Sequence, residues 1–227
     1  MSPFLNLTAL LWEAVLFAAT SIPTRFFLHF TVRGLENLEN LPPGPLVVMA
    51  NHASQLDPGL LNLALPWTRR FRPAFAVALT KKDYLHLPLG RLLFGGRFFW
   101  LTGAYPAYKK QPTLADALPH HLAVLRKQHP VIIFPEGKLS LDGNFHYAHP
   151  GVAFLAHRAQ ATVIPTYISG DYLMTARDFF MRKRHVAVTF GKPIQFSDYA
   201  APDIDHSRDS YREVAIQMFE AVKNMAG

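Results

Sequence analysis

The sequence contains no cysteine, which excludes disulfides, a thiol nucleophile and metal sites built from thiolates. This absence fits a reducing compartment. Charged residues are also scarce, at 17% of the chain, whereas half of the 227 residues are hydrophobic. A chain of this length and composition can bury a sizeable core, so we expect it to fold rather than to be disordered.

The charges that are present are unbalanced, with a net charge of +7. A net positive charge favours anionic partners, namely nucleic acid, an anionic lipid surface or an acidic carrier protein. Aromatic residues make up 13% of the chain. The combination of many aromatic residues with few charged ones favours a lipid interface, and we expect no nucleic-acid partner.

The apolar N-terminal segment lacks an uninterrupted run that would span a bilayer. Its uncharged runs, Ser2–Trp12 and Ala14–Thr24, are far shorter than the roughly 20 residues that a spanning helix needs. Glu13 interrupts the segment and no basic region precedes it, which argues against a secretory signal. We therefore expect residues 1–30 to form one or two helices in the membrane interface, or alternatively a helical hairpin on the protein's own core. The side chains expected to face lipid are those of Phe4, Leu5, Leu11, Trp12, Phe17, Phe26 and Phe27.

Strand-length apolar runs alternate with helical patterns through residues 31–227. This alternation predicts one α/β domain, with a largely parallel mixed sheet flanked by helices. The predicted strands are Phe30–Gly34, Pro45–Ala50, Ala74–Leu79, Arg97–Ala104, Val131–Phe134, Thr162–Ile168 and Val186–Phe190. The predicted helices are Gly59–Leu65, Pro88–Phe94, Thr113–Gln128, Gly151–Ala159 and Ser207–Met225.

A histidine and an aspartate follow the predicted strand Pro45–Ala50, in the motif Asn51-His52-x4-Asp57. Ligands of parallel α/β sheets bind beyond the carboxyl ends of strands, where this motif lies. A carboxylate bonded to one imidazole nitrogen fixes the tautomer and leaves the other nitrogen as a base. In the alternative interpretation, Asp57 is only the N-cap of the helix that continues through Pro58, and His52 is incidental.

A second motif, Phe134-Pro135-Glu136-Gly137-Lys138-Leu139-Ser140, follows the predicted strand Val131–Phe134. Pro135 makes the strand exit rigid, and Gly137 permits a conformation or a close approach that a side chain would forbid. Glu136 places a charge at the edge of the sheet. It could hold a substrate hydroxyl, pair with Lys138 or be solvated.

Together, Asn51-His52-x4-Asp57 and Phe134-Pro135-Glu136-Gly137 resemble the glycerolipid acyltransferase family, of the lysophosphatidic acid acyltransferase type. Between the two motifs, Lys82–Leu85 and Gly103–Lys109 stand where the family carries its second block. Ile164-Pro165 occupies the place of the fourth block. The four blocks occur in the family's order over roughly residues 45–170.

The resemblance implies that this enzyme moves a fatty acyl group from acyl-CoA or acyl-carrier protein to the hydroxyl of a lysophospholipid or related lipid alcohol. His52 would be the general base and Asp57 its orienting partner. Backbone amides near Gly137 are candidates for an oxyanion hole. No metal or organic cofactor is implied. The substrate-binding candidates are Asn51, Lys109, Phe134, Pro135, Glu136, Gly137 and Lys138.

Two arginines of the family pattern are replaced in this chain. The second block commonly ends in Asp-Arg and here ends in Tyr108-Lys109, whereas Lys138-Leu139 stands in place of the Thr-Arg or Gly-Arg that follows Glu-Gly. Lysine binds phosphate as a point charge and lacks the bidentate fork of arginine. The acceptor is therefore either a phosphate ester bound by Lys109, Lys110 and Lys138, or a different lysophospholipid, a sugar or another lipid alcohol.

Two other functions remain open from the sequence. The protein could be a non-catalytic lipid-binding or membrane-remodelling protein on the same fold, or a thioester hydrolase if water enters in place of the alcohol. For the enzyme, we expect a peripheral, monotopic membrane protein on the cytoplasmic face.

Overall fold

The computed structural model describes residues 21–66, 74–78, 104–108, 110–201 and 203–227. Within these ranges seven strands form one sheet. The strands are β1 (His29–Arg33), β2 (Leu46–Ala50), β3 (Ala74–Ala78), β4 (Ala104–Ala107), β5 (Val131–Ile133), β6 (Thr162–Ser169) and β7 (His185–Phe190). Their order across the sheet is β1-β7-β6-β2-β5-β3-β4.

Most of the sheet is parallel. The five neighbouring strands from β6 to β4 run in one direction. Strand β7 is antiparallel to β6, and β1 runs parallel to β7, so these two strands form an oppositely directed edge. The predicted α/β fold with a largely parallel mixed sheet is confirmed.

Helices cover both faces of the sheet. Apart from the helical residues 21–27, the described α-helices are α1 (Glu36–Glu39), α2 (Asp57–Ala64), α3 (Leu114–Ala117), α4 (Pro119–Arg126), α5 (Gly151–Ala159), α6 (Ala176–Phe180) and α7 (Arg208–Lys223). Val47 and Met49 pack in one core cluster with residues of α4, α5 and α7. Val48 and Ala50 pack in the other, with residues of α2. The central strand β2 is therefore buried on both faces, as its continuous apolar run predicts.

The predicted helix Thr113–Gln128 is wrong as a single element, because Pro119 divides it into α3 and α4. Leu118, the residue before this proline, leaves the helical region at φ −129° and ψ 41°. The proline ring disfavours helical backbone at the preceding residue, and its nitrogen has no hydrogen to donate. Thr113 caps α3 by accepting a hydrogen bond from the backbone N–H of Asp116.

Some predicted elements fall outside the described residues. The helix Pro88–Phe94 lies entirely outside them, and so does the strand Arg97–Ala104 except for its last residue, where β4 begins. Of the N-terminal segment, residues 21–27 are described and are helical. No helix of the described residues is both long enough and apolar enough to cross a membrane.

Candidate active site

The two polar motifs meet because their strands are neighbours in the sheet. Val47 and Met49 of β2 are in register with Val131 and Ile133 of β5. The chain beyond the carboxyl end of β2 therefore emerges beside the chain beyond β5. This adjacency brings the His52 loop against the Phe134–Ser140 loop.

The imidazole of His52 is held by the carboxylate of Asp57. Nδ1 of His52 lies 2.8 Å from Oδ2 of Asp57, whose side chain is completely buried, while the His52 side chain remains 19% exposed. The same Oδ2 accepts hydrogen bonds from the backbone N–H groups of Ala53 at 2.8 Å and Ser54 at 2.9 Å. Donation from Nδ1–H to Asp57 leaves the lone pair on Nε2, which is the tautomer that a base requires.

Asp57 is not the N-cap that the alternative interpretation requires. It is the first residue of α2, Leu56 occupies the cap position, and no side chain caps the helix. The Asp57 carboxylate instead turns back over the preceding loop, where it contacts His52. Pro58 lies in the first turn of the helix, as predicted.

Phe134 and Glu136 position His52 from the neighbouring loop. The Phe134 ring stacks on the imidazole with 4.2 Å between ring centroids. Glu136 is 2% exposed, so the interpretation that it is solvated is wrong. Its Oε1 accepts from the backbone N–H of His52 at 3.1 Å, and its Oε2 accepts from the backbone N–H of His146 at 2.9 Å. Because the N–H of Ser140 also donates to the carbonyl of His52, both backbone groups of His52 are fixed by this loop.

Asn51 joins the ends of β2 and β6. Its Nδ2 donates to the carbonyl of Ile168 at 3.0 Å, and its Oδ1 accepts from the N–H of Ile168 at 2.8 Å. Asn51 is 6% exposed. Both ends of its amide are therefore engaged within the fold, although the residue also borders the pocket described below.

Gly137 is required by its backbone conformation and by a neighbouring ring. Its φ is +63°, and a Cβ at this position would lie 2.7 Å from Cδ2 of His149. Its N–H donates to the carbonyl of Phe134, so this amide closes the turn and is not available to an oxyanion. The carbonyl of Pro135 accepts from the N–H of His149. Lys138 is exposed, and Lys109 lies outside the described residues.

A pocket of about 90 Å³ opens beside His52 at the carboxyl ends of β2, β5 and β6. Its lining includes residues that the sequence interpretation did not select, namely Ser140, Asn144, Phe145, Tyr167, Ser169, Asp171 and Tyr172. Among the described residues no group of three or more His, Cys, Asp or Glu side chains is placed to hold a metal ion.

The most unusual of these residues is Asp171, which is 1% exposed. Burial, together with a hydrogen bond to Asp57 and the negative charge of that residue, raises the pKa of Asp171 to about 8. Burial also raises the pKa of Asp57, against the hydrogen bonds that Asp57 shares with Asp171, Ser54 and Ala53. The position of Asp171 just beyond a parallel strand is the one sequence signal that could have identified it.

Comparison with known proteins identifies the family of this chain. A family model described as Acyltransferase matches residues 29–169. The chain is 28% identical to the chloroplastic 1-acyl-sn-glycerol-3-phosphate acyltransferase LPAT1 of Arabidopsis thaliana, over 72% of this chain and 44% of that protein. It is 26% identical to the human 1-acyl-sn-glycerol-3-phosphate acyltransferase beta, over 78% of this chain and 60% of that protein.

The fold is also similar to that of a solved structure, the 1-acyl-sn-glycerophosphate (LPA) acyltransferase PlsC from Thermotoga maritima. The TM-score is 0.60 at 18% sequence identity, and the match covers 98% of this chain and 85% of that one. The chain spans less than two thirds of the length of the two curated relatives named above. Since the family model covers more than half of the sequence, the chain belongs to the Acyltransferase family.

Proposed function

We propose that this protein transfers a fatty acyl group from acyl-CoA or acyl-carrier protein to the hydroxyl group of a lysophospholipid or related lipid alcohol. The observation that carries the proposal is the hydrogen bond of 2.8 Å between His52 Nδ1 and the buried carboxylate of Asp57, beside an open pocket. The names of the relatives support a glycerolipid acceptor.

In the proposed mechanism the acceptor hydroxyl gives its proton to Nε2 of His52. The acceptor oxygen then forms a bond to the carbonyl carbon of the thioester, and the carbonyl oxygen takes up the negative charge. Collapse of this tetrahedral intermediate breaks the carbon–sulfur bond, and the imidazolium returns its proton to the departing thiolate. The Asp57 carboxylate stabilises the imidazolium between these two steps.

The experiment measures thiol release from long-chain acyl-CoA and from acyl-carrier protein with a panel of lysophospholipids and lipid alcohols. We expect release to require an acceptor, and to fall by about 10²- to 10⁴-fold in His52→Ala, as is typical when a general base is lost. Asp57→Asn should leave a weak activity, because its amide no longer selects the same imidazole tautomer. His206→Ala is the matched control, since His206 is exposed and stacks on His157, a residue outside the pocket lining.

Each alternative has its own signature in this assay. Release without an acceptor identifies a thioester hydrolase, and no release with either donor favours a non-catalytic lipid-binding protein. Undiminished turnover in a folded His52→Ala variant contradicts the mechanism, whatever the acceptor.

We further propose that the protein docks on an anionic membrane through an aromatic patch formed by Phe26, Phe27, Phe179 and Phe180. The rings of Phe27 and Phe179 lie 5.3 Å apart, so residues 21–27 and α6 form one surface. Phe26 is 57% exposed and Phe180 is 63% exposed. Exposed aromatic side chains beside cations suit the boundary between lipid headgroups and acyl chains.

One cation contacts this aromatic patch, and others are close to it in the sequence. The guanidinium of Arg182 lies 4.9 Å from the centroid of the Phe26 ring. Arg25, Arg177 and Lys183 are exposed nearby in the sequence. Each basic residue near an anionic leaflet contributes about 1 kcal/mol of attraction. The occupant that combines apolar insertion with this charge is an anionic bilayer.

The pocket and the aromatic patch are joined by a short segment. Tyr172 lines the pocket, and Leu173 beside it is 68% exposed. The hydroxyl of Tyr172 donates to the carbonyl of Leu141, which is 81% exposed. An acceptor held in the bilayer would therefore pass exposed apolar side chains on its way to His52.

Liposome co-sedimentation of the full chain tests the docking surface. The double variant Phe26→Ser, Phe180→Ser should bind anionic vesicles about tenfold more weakly, because it removes two apolar side chains from the interface. Leu35→Ser, at a residue 39% exposed, is the control. Equal binding by wild type and double variant would contradict the proposal. The division at residue 30 and the cytoplasmic face remain predictions.

A further inference from the structure

A second buried carboxyl group, that of Asp171, borders the pocket of His52. Asp171 follows β6, which is the neighbour of β2 in the sheet, and it borders the same pocket as His52. It is 1% exposed and has no cationic partner in the ion pairs of the described residues. A buried carboxyl group without such a partner is costly to keep, so its contacts require an explanation.

The carboxyl groups of Asp171 and Asp57 lie within hydrogen-bonding reach of each other. Among the described residues, no amide or hydroxyl group of another residue donates to Asp57 Oδ1 or to either oxygen of Asp171. Two carboxyl groups form a hydrogen bond only when one of them carries a proton. A hydrogen bond between these two groups would therefore need one shared proton and would leave the pair with one negative charge.

The hydrogen bonds decide where that charge lies. Asp57 Oδ2 receives the backbone N–H groups of Ala53 and Ser54 as well as the ring nitrogen of His52. Donors of this kind stabilise the ionised form of a carboxyl group. Asp171 receives none from its neighbours, so a shared proton would lie on Asp171 and the negative charge on Asp57.

We propose that Asp171 is a positioning residue, which in its protonated form donates to Asp57 Oδ1 and so holds Oδ2 of Asp57 against the ring N–H of His52. This inference rests on the proposed function of His52. With its second oxygen anchored, the Asp57 carboxylate cannot rotate about its carbon–carbon bond away from the imidazole. The neutral state of Asp171 also keeps a second negative charge away from the base.

The charged and titratable groups around Asp171 set the pH range of this arrangement. Burial, the hydrogen bond to Asp57 and the charge of Asp57 raise the pKa of Asp171, whereas its own backbone N–H and His52 oppose the increase. Tyr167 faces it from β6, and Glu136 acts on Asp57 from the loop after β5. With its pKa raised to about 8, Asp171 would be protonated at neutral pH. Loss of its proton in moderately alkaline solution would break the bond to Asp57 and place two negative charges together.

The test compares Asp171→Asn and Asp171→Ala with wild type in the thiol-release assay between pH 6 and 9.5. In Asp171→Ala we expect kcat at pH 7 to fall about tenfold or more, with KM little changed, because a buried hydrogen bond to a charged group is lost. In Asp171→Asn the amide N–H replaces the hydroxyl donor and does not titrate. Its kcat should exceed that of Asp171→Ala at least fivefold, and its profile should lose the alkaline decrease of wild type.

Asp209→Asn is the control, because Asp209 is 82% exposed and is paired with Arg212. A wild-type alkaline decrease retained in Asp171→Asn, or a wild-type kcat in Asp171→Ala, would overturn the proposal.

A second readout does not depend on turnover. The ring proton shared by His52 and Asp57 should give a low-field proton resonance that persists in Asp171→Asn and is lost or shifted in Asp171→Ala. If no acyl transfer is found, the proposed function fails but this resonance still tests the positioning role. An unchanged resonance in Asp171→Ala would refute it.

Discussion

Replacing Asn51 with alanine should destabilise the whole fold. The substitution removes two buried hydrogen bonds, of 3.0 and 2.8 Å, and leaves the carbonyl and N–H groups of Ile168 without those partners. Each unsatisfied buried group costs about 1–3 kcal/mol, so the two groups together give a loss of roughly 2–6 kcal/mol. That is a large part of the 5–15 kcal/mol by which a typical domain is stable.

The change is measured by thermal and urea unfolding. For a chain of this size, 1 kcal/mol shifts Tm by about 2–4 °C, so we expect Tm to fall by roughly 4–24 °C. Asn224→Ala is the matched control, because Asn224 is exposed at the end of α7 and its loss should change stability by less than about 0.5 kcal/mol.

The sequence-based assignment of Asn51 to substrate binding predicts a different result. If its amide mainly contacts the acceptor, Asn51→Ala will raise KM and leave Tm within about 2 °C of wild type. That outcome would refute the structural argument. A large fall in Tm with little change in the KM of the remaining folded enzyme would support it.

Three further predictions concern the same loops. Gly137→Ala should lose about 1–3 kcal/mol of unfolding free energy because Gly137 has a positive φ. The control Gly59→Ala, where a Cβ in α2 meets open space, should gain up to about 1 kcal/mol. Equal stabilities of the two variants would contradict this prediction. Phe134→Ala should lower kcat by loosening the His52 ring that it stacks on, and an unchanged kcat with intact fold would count against that role. Because the pKa of Asp171 is raised from 3.8 to about 8, its contribution to stability declines as pH rises between these values. The stability of Asp171→Asn relative to wild type should therefore increase between pH 5 and 8 in urea unfolding, and a constant difference would refute the assignment.

Local sequence patterns predicted most of the elements because their causes are local. In β2 every residue is buried, which gives a continuous apolar run. In α5 the buried residues are apolar as well. The prediction of one helix over Thr113–Gln128 was wrong for a local reason too, since Pro119 interrupts the helix although the apolar residues around it have helical spacing. The antiparallel placement of β7 beside β6 has no such local signal.

The contacts within the site depend on which strands are neighbours, and the sequence does not state this. The spacing of His52 and Asp57 left the N-cap interpretation open, and the resemblance to the acyltransferase family led to the prediction that they pair. Glu136 could not be assigned to the backbone N–H of His52 without knowing that β2 and β5 are adjacent. The pairing of Asp171 with Asp57 likewise requires the adjacency of β6 and β2.

These contacts bear on how an acceptor would be recognised. The polar groups of Asn51 and Glu136 are bonded to backbone, and the amide of Gly137 closes a turn, so these motif residues shape the loop that carries the base. Lys138 is exposed, and as a lysine it offers a point charge rather than the fork of an arginine. We therefore expect acceptor selectivity among the described residues to lie with the pocket lining beyond β6, where Tyr172 stands next to the apolar side chain of Leu173. Contacts at that position would contribute more to binding the apolar body and hydroxyl of a lipid acceptor than to binding a phosphate group.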